Sequence, residues 1–345
     1  MNFPVIKQQL DFDLAQLASD YPPVWLHPHK QAIHDFVRRE GGPLNGSMRY
    51  TRWQMSPLPH ELMLHACDVQ AEPGFFTYTE SNPGIWHMNF ADPRLFAAYG
   101  SPLMAQDEWQ ALEHPALASL REALLHAEHP ALTRQDGVST PVLISNVPRQ
   151  CAIDLSGGAT SEALPLSSWW RSLFKAAQAS APSGSLYGNA FASASSADVL
   201  RATEVLNPPT FSHIIALAAP TGTGAYSTRQ ITDILQTAFS GFSAALLESA
   251  RHGITAAQVT IHTGWWGCGA FGGSRVLMAL LQILAAKMAG VGRMVFHIGS
   301  EIARCQFNDA LSFLDLVTAQ GISAVPSVIA EIEALKFHWG QSDGN

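Results

Sequence analysis

Residues 262–273 read His-Thr-Gly-Trp-Trp-Gly-Cys-Gly-Ala-Phe-Gly-Gly, and this stretch decides the fold. A β-rich run, Val259-Thr260-Ile261, precedes it, and a long apolar pattern of helical period follows from Ser274 to about Ala289. Five glycines fall at 264, 267, 269, 272 and 273, where side chains would keep the backbone away from a ligand. The first N–H groups of the following helix have no intrahelical acceptor and sit at the positive end of its dipole. Strand, glycine loop and helix start together make a place for a phosphate or pyrophosphate. The chain is expected to bind a nucleotide-like anion.

Gly267, Gly269 and Gly272 also satisfy G-x-G-x-x-G, the dinucleotide fingerprint. Its placement is unusual for a nicotinamide dehydrogenase, because one clear strand pattern follows it, Met294–Ile298, where several strand–helix units are normal. Glu301 is the one acid placed to hold a ribose in that reading.

At 345 residues the chain is long enough for one large domain or two. Apolar residues make up 47% and charged residues 14%, with 26 glycines and 21 prolines, which describes a globular, loop-rich protein. The net charge of −8 argues against bulk binding to nucleic acid or an anionic membrane, both of which need basic patches. An acidic chain still holds a polyanion locally through backbone N–H groups. No basic segment followed by an apolar run marks a signal peptide, and the longest apolar run, Val276–Ala286, is too short for a bilayer. A cytoplasmic location is the expectation. Cys67, Cys151, Cys268 and Cys305 are scattered and read as reduced thiols. His27 and His29, His60, His65 and Cys67, and His126 and His129 lie close in sequence, yet none has zinc-ligand spacing, so no metal is expected. No Gly-x-Ser-x-Gly elbow marks a serine hydrolase. No cofactor is implied.

The first 80 residues read mainly as helix and loop, with helical stretches near Asp11–Ser19 and Gln31–Arg39 punctuated by proline and glycine. From about residue 84 the pattern alternates. Strands are expected near Ile85–Phe90, Val142–Val147, His213–Ala219, Val259–Thr263 and Met294–Ile298. Helices are expected near Asp107–Leu125, Ser167–Ala179, Thr228–Ala250, Arg275–Ala289 and Phe307–Thr318. This alternation predicts an α/β sandwich with a mixed or parallel sheet. The Arg275–Ala289 helix is apolar nearly all round, which predicts burial within a three-layer core.

The glycine loop carries a second message. Thr263–Gly273, then the Leu/Ala/Gln-rich Leu277–Ala286 and the strand pattern Arg293–Gly299, closely resemble the C-terminal core of poly(ADP-ribose) glycohydrolases. That family carries Gly-x-Trp-Gly-Cys-Gly-Ala-Phe-Gly-Gly, a helix of that composition and a strand. An earlier stretch resembles it in order: Ile85–Phe90, the loop Ala91–Gly100, then Gln106-Asp107-Glu108 opening a helix. There the family has a strand ending near Asp-Phe-Ala-Asn, a glycine-rich loop and Gln-Glu-Glu.

The resemblance implies a macrodomain-like fold: α/β, a three-layer α/β/α sandwich with a mixed sheet over residues 81–345, and an N-terminal helical accessory region over 1–80. It implies an ADP-ribosyl glycohydrolase acting on ADP-ribose or an ADP-ribosylated protein. Residue by residue, Glu108 takes the position of the catalytic acid and Asp107 that of its neighbouring carboxylate, with Asp92 assisting. Asn89 and Asp92 stand at the two ends of the family's Asp-Phe-Ala-Asn with acid and amide exchanged. Ligand contacts are expected from Asn89, Tyr99, Gly100, Gly264, Trp265, Gly267, Cys268, Gly269, Ala270, Phe271 and Gly272.

The chemistry asks for such a pair. Glycoside cleavage passes through an oxocarbenium-like state, and the leaving oxygen must be protonated. A carboxylic acid does this when burial or a neighbouring carboxylate raises its pKa, and once ionised it activates the incoming water. Without the resemblance, Asp107-Glu108 reads as an exposed pair favoured by the helix dipole, and Asp92 as a turn residue before proline. Phe271, Tyr187 and Phe191 read either as packing or as covers for ribose or adenine.

Two departures bear on the substrate. Trp265 stands where the family has Asn. Ala97-Ala98-Tyr99-Gly100-Ser101-Pro102 replaces a run of three glycines, leaving less room for backbone around a pyrophosphate, while Tyr99 is placed to cover a sugar instead. Beside poly(ADP-ribose) cleavage stand a mono-ADP-ribosyl-protein hydrolase of the same fold, for example for arginine-linked units, a non-catalytic ADP-ribose reader, and the dehydrogenase.

Overall fold

A computed structural model describes residues 4–78, 81–155, 185–319 and 321–342. The helix expected near Ser167–Ala179 lies outside the described residues. The chain opens with a strand, β1 (Ile6–Asp13), in which half-buried Ile6, Gln8, Leu10 and Phe12 alternate with exposed residues, the period of a strand covered on one face. Two helices follow, α1 (Leu14–Asp20) and α2 (Pro28–Glu40), then β2 (Ser47–Trp53) and β3 (Asp68–Pro73). After β4 (Ile85–Phe90) come α3 (Gln106–Glu113) and α4 (Pro115–His126). The single helix expected over 107–125 is broken at His114 because Pro115 cannot donate to the helix ladder. A small hairpin, β5 (Arg134–Gln135) and β6 (Val138–Ser139), leads into the long strands β7 (Val142–Ile153) and β8 (Thr203–Leu217). The remainder alternates: α5 (Thr228–Ala250), β9 (Thr260–Gly264), α6 (Arg275–Ala289), β10 (Arg293–Gly299), α7 (Arg304–Thr318) and α8 (Val325–Ala334).

One sheet of eight strands runs through the molecule in the order β1-β2-β7-β8-β4-β9-β10-β3. The first four are joined antiparallel; β8, β4, β9, β10 and β3 run parallel. Helices cover both faces. On β8, Ile215 and Leu217 join an apolar layer with α5, α6, α7 and α8, while Ile214 and Ala216 join the opposite layer with α1, α2, α3 and α4. This is an α/β/α sandwich with a mixed sheet, as the resemblance implies. Burial of α6 extends around it: Leu277 through Ala286 are all buried, each large apolar side chain contributing about 1.5–3 kcal/mol.

The N-terminal expectation needs correction. Residues 1–80 include both expected helices, yet β1 and β2 form one edge of the sheet and β3 the other. They complete the sandwich rather than form a helical region beside it. Among the described residues no helix is long and apolar enough to cross a membrane.

Candidate active site

The carboxyl ends of the five parallel strands open on one cavity of about 510 Å³, the end at which open α/β sheets place ligands. Beyond β8 it is lined by Ala219, beyond β4 by Ala91 and Asp92, beyond β9 by the glycine loop, beyond β10 by Ser300, and beyond β3 by Gly74, Phe75 and Phe76.

The first turn of α3 is bolted to the end of β4. Gln106 Oε1 accepts from Phe90 N at 2.7 Å, and Gln106 Nε2 donates to Met88 O at 3.0 Å. Asn89 Nδ2 donates to Asp107 Oδ1 at 2.9 Å, and Ala105 N donates to Glu108 Oε2 at 3.1 Å. Asp107 is 6% exposed and Glu108 4%, so the pair is not an exposed ornament of the helix dipole. Both line the cavity. Burial pushes the Asp107 carboxyl up to about 8, the Glu108 charge adds to it, and the Asn89 hydrogen bond pulls the other way. Burial also raises Glu108, opposed by the Lys30 charge and by hydrogen bonds from its own backbone and that of Ala105. A carboxyl held protonated towards neutral pH is suited to give a proton to a leaving oxygen. Asp92 lines the cavity as well; it accepts from Arg94 N at 2.8 Å, and its charge raises both neighbours further.

Across the cavity lies the glycine loop. Gly267 sits at φ +73°, and a Cβ there would lie 2.5 Å from Ala219 Cβ, so any side chain is excluded twice over. Cys268 N donates to Trp265 O at 3.0 Å and Gly272 N to Gly269 O at 2.9 Å, while Gly273 N reaches Gly267 O at 2.9 Å. Among the described residues no acceptor meets the N–H groups of Gly269, Ala270 and Phe271, which line the cavity. Successive unpaired N–H groups make an anion-binding concavity. Arg275, at the start of α6, adds a cation at the rim, its guanidinium 5.4 Å from the Trp265 ring centroid. Trp265 itself is pinned by Nε1 donating to Ile298 O at 2.9 Å, and Trp266 by Nε1 donating to Leu217 O at 2.9 Å. Gly264 and Cys268 also line the cavity. Gly272 does not: its carbonyl accepts from Gly340 N at 2.7 Å, so it holds the C-terminal segment.

Tyr99, Gly100 and Asn89, expected to contact the ligand, are not among the residues that line the cavity. The Tyr99 hydroxyl accepts from Val24 N at 2.7 Å and donates to Glu122 Oε1 at 2.7 Å, and its ring meets Trp25 edge-on at 5.1 Å. Gly100 O accepts from Leu26 N and His27 N, each at 3.0 Å. Both residues therefore face the N-terminal segment, and the loop presents Ala98, Leu103 and Ala105 to the cavity. Asn89 is fully buried and positions Asp107 rather than lining the cavity.

Phe75, Trp109 and His297 line the cavity without any signal in the sequence reading, whereas Tyr187 is one of its candidate covers. Phe75 and Tyr187 stack with centroids 5.3 Å apart, and Trp109 meets Phe75 edge-on at 5.3 Å. Phe191 is instead buried against His27 and His29. His297 lines the cavity and begins a stack of imidazoles on adjacent strands. Its Nε2 lies 2.9 Å from His262 Nδ1, and the His262 ring stacks on His87 at 4.5 Å. Burial lowers His262 to about 4 and His297 to about 3, so both are neutral at physiological pH. Among the described residues no group of three or more His, Cys, Asp or Glu side chains is arranged to hold a metal ion.

Residues 181–305 match the family model described as Poly (ADP-ribose) glycohydrolase (PARG), Macro domain fold. The match contains the whole glycine loop, α6 and β10, and the likeness of this chain to that family is shown there. No curated protein sequence matches the chain. Similar solved structures include a poly(ADP-ribose) glycohydrolase from Thermomonospora curvata at 12% identity and TM-score 0.40, covering 82% of this chain and 97% of that chain. Another is the Deinococcus radiodurans enzyme in complex with ADP-ribose, at 12% identity and TM-score 0.38, covering 90% and 94%.

Proposed function

We propose that the protein hydrolyses a glycosidic bond of ADP-ribose, with Glu108 as acid and then base. One observation carries this reading: a buried carboxyl pair, Asp107 and Glu108, shares a single cavity with a loop that offers unpaired N–H groups to an anion. The match of residues 181–305 to the glycohydrolase family supports the choice of ligand. Asp107 and Glu108 precede those residues, so their roles rest on geometry and on the sequence resemblance.

In this mechanism the diphosphate sits on the N–H groups of Gly269, Ala270 and Phe271, with Arg275 adding charge at the rim. The distal ribose then reaches α3. Asp107, oriented by Asn89, holds ribose hydroxyls. Protonated Glu108 gives its proton to the leaving oxygen as the bond from the anomeric carbon breaks, and nearby negative charge favours the oxocarbenium-like state. The Glu108 carboxylate then takes a proton from water as its oxygen bonds to that carbon, which returns the acid and frees ADP-ribose.

A second reading, removal of single ADP-ribose units from a protein side chain, is favoured by the cavity wall. Ala98 stands within the stretch that replaces a run of glycines and Leu103 directly after it, and the Phe75–Tyr187 stack borders the same space. Nothing comparable favours a dehydrogenase, since Glu301 pairs with Arg304 on the surface. The test is release of ADP-ribose from poly(ADP-ribose) and from a protein carrying single units on arginine or acidic side chains. Release from the polymer upholds the first reading, and release from the modified protein alone selects the second. Binding of ADP-ribose without release from either leaves a reader and removes the role of Glu108.

A further inference from the structure

Lys30 is fully buried, an unfavourable place for an ammonium unless its donors are met. Its Nζ donates to two main-chain carbonyls, Tyr99 O at 2.8 Å and Leu103 O at 2.7 Å, closing the intervening turn like a clasp. The residues before it are engaged in the same way. Val24 N donates to the Tyr99 hydroxyl at 2.7 Å, and Leu26 N and His27 N both donate to Gly100 O at 3.0 Å. Residues 24–30 thus occupy the outer face of the 99–103 turn.

The consequence reaches the carboxyl pair in three steps. Leu103 O is held by Lys30. Met104 is held on both sides, its N donating to Gly188 O at 3.2 Å and its O accepting from Gly188 N at 2.9 Å. Ala105 N then donates to Glu108 Oε2 at 3.1 Å. Three consecutive residues are fixed, and the last of them fixes the carboxyl.

We infer that residues 24–30 are a template for the 99–105 loop and that Lys30 is a positioning residue for Glu108, acting through Leu103 and Ala105 without touching substrate. The part concerning Glu108 chemistry rests on the proposed function; the clasp itself does not. The Lys30 charge also opposes the effect of burial on both carboxyls, so charge and hydrogen bonding act on the same group.

The test compares the full-length wild type with Lys30→Met in three measurements: amide hydrogen exchange over 99–105, ADP-ribose affinity by calorimetry, and turnover of whichever ADP-ribosylated substrate the wild type cleaves. The expected result is at least tenfold faster exchange over 99–105, Ala105 included. Turnover falls at least tenfold, while the ADP-ribose Kd stays within threefold because the glycine loop is untouched. Lys30→Gln, which keeps an N–H donor, regains part of the protection, and it replaces Lys30→Met in the comparison if the latter does not fold. Unchanged exchange over 99–105 overturns the inference. So does a loss of turnover matched by an equal loss of affinity, which is the mark of a merely structural lysine. If the wild type cleaves neither substrate, the glycohydrolase reading falls, and the exchange result alone upholds or overturns the clasp.

Discussion

Two loops leave neighbouring parallel strands and enter helices beside the same cavity: residues 265–274 between β9 and α6, and residues 91–105 between β4 and α3. Their positions are alike and their work is opposite. The first leaves the N–H groups of cavity-lining residues unpaired, and its glycines permit a left-handed turn at Gly267 and close approach to Ala219. The second turns backbone carbonyls onto residues 24–30 and offers the cavity Asp92, a few apolar side chains and, just past its end, the α3 carboxyls. A strand–loop–helix connection therefore does not by itself say who meets the ligand. What packs against the far side of the loop decides it.

The largest effect that sharpens this contrast is expected at Glu108. Glu108→Gln should lower turnover by about 10²–10⁴-fold, the range for general acid–base catalysis, and leave ADP-ribose binding by calorimetry within about tenfold. Equal loss of binding and turnover would move Glu108 out of the chemistry. Next comes Gly267→Ala, which forces a side chain into φ +73° against Ala219. Strain of that kind costs about 1–3 kcal/mol, and we expect a lower melting temperature together with at least tenfold weaker ADP-ribose binding. Unaltered binding would separate the glycine loop from the ligand.

Tyr99→Phe is the converse probe. It removes a hydroxyl that both accepts from Val24 N and donates to Glu122, a loss of about 1–3 kcal/mol of stability that urea unfolding would record. The ADP-ribose Kd should hold within twofold; a tenfold rise would mean that this loop faces the ligand after all. The smallest effect concerns pH. Folding raises the Asp107 pKa from 3.8 to about 8, so between those values the unfolded chain holds fewer protons and stability declines as pH rises. Asp107→Asn keeps an acceptor for Asn89 and removes that decline. It should melt with the wild type near pH 4 and be the more stable of the two at pH 8, the gap widening as pH rises. An advantage largest at low pH would contradict the raised pKa.

How much of this the sequence discloses follows the range of the forces involved. β4, α5 and α6 are legible nearly to the residue because their apolar patterns are local and strong. The glycine loop is legible because its chemistry is that of its own backbone. β1 carried a readable alternation in Ile6, Leu10 and Phe12, but the neighbouring Leu14 and Leu17 draw a helical reading back across its end. β3, Asp-Val-Gln-Ala-Glu-Pro, is a short edge strand whose apolar face is only Val69 and Ala71, half-buried against the core, too brief an alternation to announce it or the cavity residue Phe75 beyond it. The direction of Tyr99 depends on a partner 75 residues earlier in the chain, which no local pattern contains. The burial of Glu108 is of the same kind, set by α2, β4 and its own loop together. A family resemblance could point to that glutamate, whereas spacing alone could not tell it from an exposed acid at a helix start.

The most direct measurement is a crystal structure of Glu108→Gln with ADP-ribose bound. The proposed mechanism requires the diphosphate within hydrogen-bonding distance of the Gly269, Ala270 and Phe271 N–H groups, the anomeric carbon of the distal ribose beside position 108, and no contact from Tyr99 or Gly100. A diphosphate resting on residues 99–102, or a ribose pointing away from α3, would contradict it.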